Sequence, residues 1–419
     1  MSKSAAVGSG GIAGIDSTAL KAALRRAERS QNLHALALVA PLLLFLALNF
    51  VLPIGSMLLR SIQDPELTTT LPETAVLLRG LEGGVIPNDY ITSVFVTELR
   101  QTRDSGALSA VANRLNYDIN GFRTLLFRTA RQLGEATTPG TLDELVRIDP
   151  RWGQRETWAA LQHASGPYTS FYLLAAIDRR LTADGSIVTT PAQQAVFIDV
   201  FKRTFGISAV VTVLCLVLAY PVAYLLATVS PRIGNLLMIL VLLPFWTSVL
   251  VRTTAWMVLL QREGIVNGIL RSAEVISDPI QLVHNRIGVY IAMTYVLLPF
   301  MVLPLYGVMK GISPLPVRAA LSLGASPFTT FRRIYLPQTL PGVTAGCLLV
   351  FILAIGFYIT PALVGGAGDQ LISYFIAFYT NQTLNWGMAA ALGLVLLAVT
   401  LLLYGVYTKL TATSSLRWR

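Results

Sequence analysis

Six long apolar runs divide the chain, near residues 35–59, 204–229, 233–260, 287–309, 342–363 and 387–408. Each reaches or exceeds the roughly 20 residues that a helix needs to cross a bilayer, so the pattern predicts six transmembrane helices. Pro221, Pro244, Pro299, Pro304 and Gly356 fall inside several of these runs. Membrane helices tolerate such residues where a neighbouring helix or a cavity satisfies the freed backbone groups. The recurrence of six such runs argues against buried core helices of a large soluble protein. The first run does not read as a cleaved signal peptide: a segment of about 33 residues precedes it, its core is too long, and no A-x-A-like site follows.

Between the first and second runs the pattern changes. Residues 60–203 carry 15 basic and 16 acidic residues, with Gly, Pro and Thr as punctuation. Apolar positions recur at helical spacing through Ile91–Leu99, Leu108–Leu133 and Ala159–Leu181, which predicts a mainly helical soluble domain. Its size of about 140 residues suits one independent core. A stabilising cap and a docking module are both open readings of it.

Composition agrees: 54% of the chain is hydrophobic and 13% charged, where a soluble domain carries roughly a quarter charged residues. Cys215 and Cys347 sit in apolar runs far from any C-x-x-C spacing, and His34, His163 and His284 are isolated. Neither a disulfide framework nor a metal site is available from them. Charge orients the bundle. Lys3, Lys21, Arg25, Arg26 and Arg29 precede the first run, Arg232 follows the second, and Lys310, Arg318, Arg332 and Arg333 follow the fourth. Lys409, Arg417 and Arg419 close the chain. The opposite short loops hold Arg262, Arg271 and Arg286 with Glu263, Glu274, Asp278 and Asp369. By the positive-inside rule both termini are cytoplasmic and 60–203 lies outside. The net charge of +10 is then a topology signal before it is a nucleic-acid signal.

The stretch 313–341 on the cytoplasmic side reads as a helix–turn–helix. Ser313 and Pro314 suit a helix start, Gly324 a break, and Ser326 with Pro327 a second start, which Pro337 then stops before the fifth span. Exposed apolar residues there make a knob of the helix-in-groove kind. The spacing Ala319-Ala320, Gly324, Ile334, Leu336-Pro337 resembles the coupling-loop motif of binding-protein-dependent ATP-binding-cassette permeases, E-A-A-x(3)-G-x(9)-I-x-L-P. Pro244–Trp256, leading to Gly264-Ile-Val-Asn267, resembles the third span of spermidine/putrescine permeases, and Gly356–Gly366 the end of their fifth. Arg318 stands where the motif has glutamate, a charge reversal at the docking surface.

The resemblance implies an all-α membrane protein of six transmembrane helices in the type I importer permease fold, with a mainly helical extracytoplasmic insertion between helices 1 and 2. Its parts are a cytoplasmic segment 1–33, a first helix 34–59, the insertion 60–203, helices 2–6 over 204–410 with the coupling loop 313–341, and a cytoplasmic tail 411–419. It further implies a multi-pass chain of a bacterial inner membrane, importing polyamines with a second permease, a cytoplasmic ATPase dimer and an extracytoplasmic substrate-binding protein. Import of a phosphonate, an opine or iron is the alternative within the superfamily. Arg318, Ala319, Ala320, Gly324, Ile334, Leu336 and Pro337 are the expected ATPase-coupling residues. No G-x-x-x-x-G-K-[ST] loop or nucleophile–base pair is present, so ATP and Mg are expected on the partner ATPase and this chain is expected to be no enzyme and to hold no cofactor.

Candidate pathway residues are few. Arg252 lies inside an apolar run, where a charge is expensive and often functional; snorkelling to the outer interface is the competing reading. Trp246, Trp256, Tyr358 and Tyr374 offer ring faces to a cation or form an interfacial belt. No Asp or Glu falls within a run, which assigns substrate choice to the partners. A membrane-anchored sensor or assembly factor would need a cytoplasmic signalling domain, and an ion-coupled transporter would show intramembrane acids or a repeated half. Neither signature is found.

Overall fold

A computed structural model describes residues 37–81, 83–103, 105–133 and 140–416, with side chains as far as residue 409 at the C-terminal end. The expected segment 1–33 and the basic residues Arg417 and Arg419 lie outside the described residues. The chain divides into two compact units, Met1–Met57 and Leu58–Arg419. Helix α1 (Ala37–Leu59) supplies the described part of the first, and is long and apolar enough to cross a membrane. A π turn over Ala47–Val51 precedes Pro53.

The second unit starts with the polar segment. Its helices are α2 (Glu66–Thr70), α3 (Pro72–Arg79), α4 (Asp89–Thr102), α5 (Gly106–Asp118), α6 (Phe122–Leu133), α7 (Leu142–Ile148), α8 (Arg155–His163) and α9 (Phe171–Ala176). Periodicity explains α6: Leu125, Leu126, Ala130 and Leu133 are buried while Arg123, Arg128 and Arg131 face out. The core closes on Phe95, whose ring lies 5.2 Å from Trp152 and 5.7 Å from Trp158. Burying each large apolar side chain contributes about 1.5–3 kcal/mol. Both indoles are satisfied there: Trp152 Nε1 donates to Thr129 Oγ1 at 2.9 Å, and Trp158 Nε1 to the Trp152 carbonyl at 2.7 Å. Two of the expected helical stretches are interrupted. Leu108–Leu133 splits at Ile119, and Ala159–Leu181 ends in an antiparallel hairpin of β1 (Arg179–Leu181) and β2 (Ile187–Thr189). The interruption falls at Asp178, held at φ 54°, whose carboxylate accepts from the N–H groups of Val196, Phe197 and Ile198. It thereby caps the next helix, a role that outweighs continuing the previous one.

That helix is α10 (Phe197–Thr228), followed by α11 (Pro231–Leu242), α12 (Val249–Leu260), α13 (Ile265–Ser272), α14 (Arg286–Gly311), α15 (Leu315–Ser322), α16 (Pro327–Gly356), α17 (Ile359–Val364), α18 (Ile372–Asn381) and α19 (Trp386–Leu416). Val211, Cys215 and Ala219 of α10 meet Met293 and Leu297 of α14 and Val350 of α16 in one apolar core. At one end of this bundle Thr204 Oγ1 accepts from the Ile372 N–H at 2.9 Å; at the other Tyr220 and Thr339 join hydroxyls at 3.1 Å. Among the described residues five helices have the length and apolarity of a span, or six if the bent pair over Pro231–Trp246 and Val249–Ser272 counts as one.

Four expectations need correction. The run 233–260 is not one straight helix but two, bent by 98°. Pro244 sits in a 3-10 turn over Leu243–Trp246, Thr247 is extended, and Ser248 starts afresh by accepting from the Val251 N–H at 3.2 Å. The run 342–363 belongs to a helix that already begins at Pro327 and ends at Gly356, after which the backbone is extended at Phe357. Pro337 consequently does not stop the loop's second helix. A π turn over Phe331–Tyr335 lies just ahead of it, and one widened turn absorbs the carbonyl clash and missing donor of a proline. The tail expected at 411–419 likewise begins inside α19.

The polar segment packs against the N-terminal ends of α18 and α19. Tyr172 and Ala176 of α9 join Ile372, Met388, Ala391 and Leu392 in a shared apolar cluster. Gly387 permits the contact: a Cβ there would stand 2.5 Å from Tyr172 Cε2.

Candidate functional site

The loop between α14 and α16 is built from local sequence. Pro314 precedes α15, and the Ser313 hydroxyl accepts from the Leu315 N–H at 3.3 Å. The helix then ends in a Schellman turn: the Ala325 N–H donates to the Ala320 carbonyl at 3.0 Å, and the Gly324 N–H to Leu321 at 3.1 Å. Gly324 has φ +88°, the left-handed conformation that glycine adopts without a steric cost. Ser326 opens the next helix by accepting from the Thr329 N–H at 3.2 Å.

This turn leaves apolar side chains in the open. Leu315, Leu321, Leu323 and Phe328 are exposed, Leu323 at 88%. Arg318 and Ala319 are exposed with them, Ala320 is half-buried, and Ile334, Leu336 and Pro337 are half-buried on the following helix. That helix is anchored on α10. The Phe331 ring meets Tyr220 edge-on at 6.2 Å, and Tyr335 meets Tyr224 at 5.4 Å. A displacement of α15 is therefore delivered to α16 through one short turn, and to α10 through four aromatic rings. If the loop couples a partner ATPase to the bundle, as its motif implies, truncating both Phe331 and Tyr335 to alanine is expected to leave the α10–α14–α16 core intact while uncoupling ATP hydrolysis from uptake. The ratio of ATP hydrolysed to substrate accumulated in proteoliposomes measures this, and an unchanged ratio would refute it.

The candidate pathway residues fall into two groups. Trp246 is 85% exposed immediately before the break between α11 and α12. Arg252 follows in the first turns of α12, with Nε and Nη1 buried and without a hydrogen-bond partner among the described residues. Tyr358 occupies the cap position of α17, after the second helix break. The two re-started helices are joined by the hydroxyls of Thr253 and Thr360, 3.0 Å apart and both fully buried. Trp256 packs edge-on against Tyr295 of α14 at 5.4 Å. Tyr374 belongs elsewhere, in an aromatic cluster with Phe375 and Phe378 on α18.

Sequence reasoning missed three features. Thr253 and Thr360 carry no charge and gave no signal beyond lying in the stretches singled out. Asn267 is a structural lock, 1% exposed, that donates to the Gln261 and Ile280 carbonyls and accepts from the Ile280 N–H. Arg286 and Asp369, counted above as loop charges, form an ion pair at 2.8 Å.

Residues 188–413 match the family described as binding-protein-dependent transport system inner membrane component. The spermidine/putrescine transport system permease protein PotB of Haemophilus influenzae is 37% identical over 217 residues, covering 51% of this chain and 76% of that protein. Its namesake in Escherichia coli strain K12 is 36% identical over 213 residues, covering 51% and 78%. The molybdenum transport system permease protein ModB of Mycobacterium bovis is 30% identical, covering 51% and 78%. Among solved structures, a bacterial alginate ABC transporter in complex with alginate pentasaccharide-bound periplasmic protein matches at 18% identity, with a TM-score of 0.42, over 50% of this chain and 76% of that one.

Proposed function

The chain belongs to the family of binding-protein-dependent transport system inner membrane components, and from that membership we propose that it is a permease subunit of an ATP-driven importer of polyamines of the spermidine/putrescine kind. The observation that carries the coupling role is the apolar knob on the Schellman turn at Gly324, joined directly to a spanning helix. A small rigid helix presenting Leu315, Leu321 and Leu323 fits a groove on a partner protein. The partner is the cytoplasmic ATPase dimer, which holds ATP and Mg and supplies the energy of the cycle. A second permease completes the pathway, and a substrate-binding protein delivers the polyamine from outside. Two relatives named for spermidine and putrescine support the substrate class.

The helix breaks at Thr247 and Phe357 support a pathway between the two permeases, because discontinuous helices recur where transporters hold and release their cargo. A motor acting on such a bundle biases it between outward- and inward-open forms. Co-purification from detergent tests the proposal: a cytoplasmic ATPase should accompany the chain, and spermidine with its binding protein should stimulate ATP hydrolysis. Absence of the ATPase would sink the coupling role; stimulation by molybdate alone would sink the polyamine assignment.

The orientation follows from the basic residues clustered at the end that bears α15. A reporter fluorescent only in the cytoplasm should light up at the C-terminus and stay dark within 60–203. Signal from 60–203 would invert the orientation.

A further inference from the structure

Four helix ends meet at the two breaks, and they are not held alike. The ends that lead into the breaks are secured to the bundle. Leu237, Met238 and Val241 of α11 pack on the core shared by α10, α14 and α16. Thr247 closes the 3-10 turn that follows by giving its hydroxyl to the Pro244 carbonyl at 3.0 Å. In the last turn of α16 the Ile355 carbonyl accepts from the Ser373 hydroxyl of α18 at 2.8 Å. α18 is in turn fixed to α10, through the Ile372 N–H and the Thr204 hydroxyl.

The helices that leave the breaks are anchored at their far ends, around the start of α14. Leu260, the last residue of α12, shares an apolar cluster with Leu282, Val283, Ala292 and Val364, and Val364 is the last residue of α17. The His284 N–H donates to the Val364 carbonyl at 2.6 Å. A Cβ at Gly365 would stand 2.8 Å from Val289 Cγ2, so the backbone there lies directly on α14. The ion pair of Arg286 with Asp369 closes the same corner.

Next to the breaks, a hydroxyl pair joins the two helices. Thr253 Oγ1 gives its proton to the Val249 carbonyl at 2.8 Å. A hydroxyl has one proton to give, so the bond between Thr253 and Thr360, 3.0 Å long, is donated by Thr360. Both residues are fully buried. The chain of hydrogen bonds thus runs from the second residue of α17 to the first of α12. Arg252 lies one position before Thr253, and Tyr358 two positions before Thr360.

We propose that Thr253 and Thr360 are positioning residues: their hydroxyl pair makes the break ends of α12 and α17 a single arm, so that Arg252 and Tyr358 move together as one wall of the pathway. The inference deepens the permease reading and rests on it. The arm turns on the anchored corner at Leu260 and Val364, and its free end carries Arg252 and Tyr358. Without the pair each helix would follow its own upstream neighbour, α11 or α16. In lipid, where apolar attraction between helices is weak, interhelical hydroxyl bonds shift a population roughly threefold to tenfold.

Thr253→Val with Thr360→Val is the informative variant. It removes both hydroxyls, keeps the shape of both side chains and strands no buried donor, so stability is nearly unchanged. The assay uses proteoliposomes that hold both permeases and the ATPase, supplied with spermidine-loaded binding protein. Maximal uptake by the double valine variant should fall roughly threefold to tenfold. The half-saturating concentration and the melting temperature of the purified complex should hold. Thr253→Ser with Thr360→Ser keeps the hydroxyls and should retain uptake. Thr253→Cys with Thr360→Cys, in a chain carrying Cys215→Ala and Cys347→Ala, brings two sulfurs within disulfide reach. Uptake by that variant should be low when reduced and recover on oxidation, because a disulfide ties the arm as the hydroxyls do.

Undiminished uptake in the double valine variant would overturn the arm. So would loss of uptake on oxidation of the double cysteine variant, which would mean that the two helices must part. A melting temperature that falls along with uptake in the double valine variant would reduce the pair to a packing contact. The wild type separates the two claims. Spermidine-stimulated ATP hydrolysis in wild type, with uptake unchanged in the double valine variant, removes the arm alone. Absence of stimulation in wild type removes the permease reading and the arm with it.

Discussion

Gly324→Val is expected to abolish uptake while the bundle folds and the substrate-binding protein still docks. The reason is conformational. At φ +88° an L-residue costs roughly 1–2 kcal/mol more than glycine, and a β-branched one is a true outlier there. A Cβ at this position would meet nothing within 4 Å, so steric crowding plays no part and the backbone alone decides. Losing the left-handed turn breaks the bonds from Ala325 to Ala320 and from Gly324 to Leu321. The exposed knob is then re-aimed relative to α16. Because about 1.4 kcal/mol is tenfold in a population, the effect grades with the residue: asparagine, which tolerates this region, should be close to neutral, alanine intermediate, valine inactive. ATPase co-purification should fall in the same order. Normal transport in Gly324→Val with the ATPase bound would remove this loop from the mechanism. Arg318→Glu is the companion variant, since it restores the charge of the family motif. In the proposed complex with the native ATPase it should weaken coupling or leave it unchanged.

Much of this arrangement is legible in the sequence, and the illegible parts have a common cause. Spans announce themselves because a bilayer demands about 20 consecutive apolar residues whatever they pack against. The turn at Gly324 is legible because Ser326, Pro327 and Gly324 act on their own backbone. The breaks at Thr247 and Phe357 are not, because proline is compatible with both a continuous and a broken membrane helix. Pro299 and Pro304 remain inside α14, whereas Pro244 sits at a break, and the difference lies in what neighbouring helices provide. Pro337 misleads for the same reason: the π turn that accommodates it is held by Tyr220 and Tyr224, more than one hundred residues away in sequence. The buried ion pair of Arg114 with Asp64 is likewise non-local, since the two stand 50 positions apart.

The polar segment 60–203 is tied to the bundle by specific contacts. Its core closes on Phe95, Trp152 and Trp158, Tyr172 seats it against the backbone at Gly387, and Asp178 caps α10. Two fixed points tie it to the N-terminal ends of α10 and α19, so movement of those helices moves the segment with them.

Arg252→Met is expected to leave the fold at least as stable and to reduce uptake by an order of magnitude or more. A guanidinium with Nε and Nη1 buried carries a desolvation cost of several kcal/mol that no hydrogen bond from the described residues to these two atoms offsets. Methionine has a similar reach and no charge, so the melting temperature should hold or rise. A costly group kept at a helix break is best explained by use. On the proposed function, a carboxylate of the second permease would pair with Arg252 in the closed state and exchange it for the ammonium groups of a passing polyamine. A cation in transit would then compete with arginine for that carboxylate and tie opening to the presence of cargo. Arg252→Met should then raise ATP hydrolysis in the absence of substrate while lowering accumulation. Arg252→Lys should recover part of both, because it keeps the charge and loses only the fork of donors. Unaltered accumulation and basal hydrolysis in Arg252→Met would return Arg252 to the interfacial reading, a side chain snorkelling towards the outer surface.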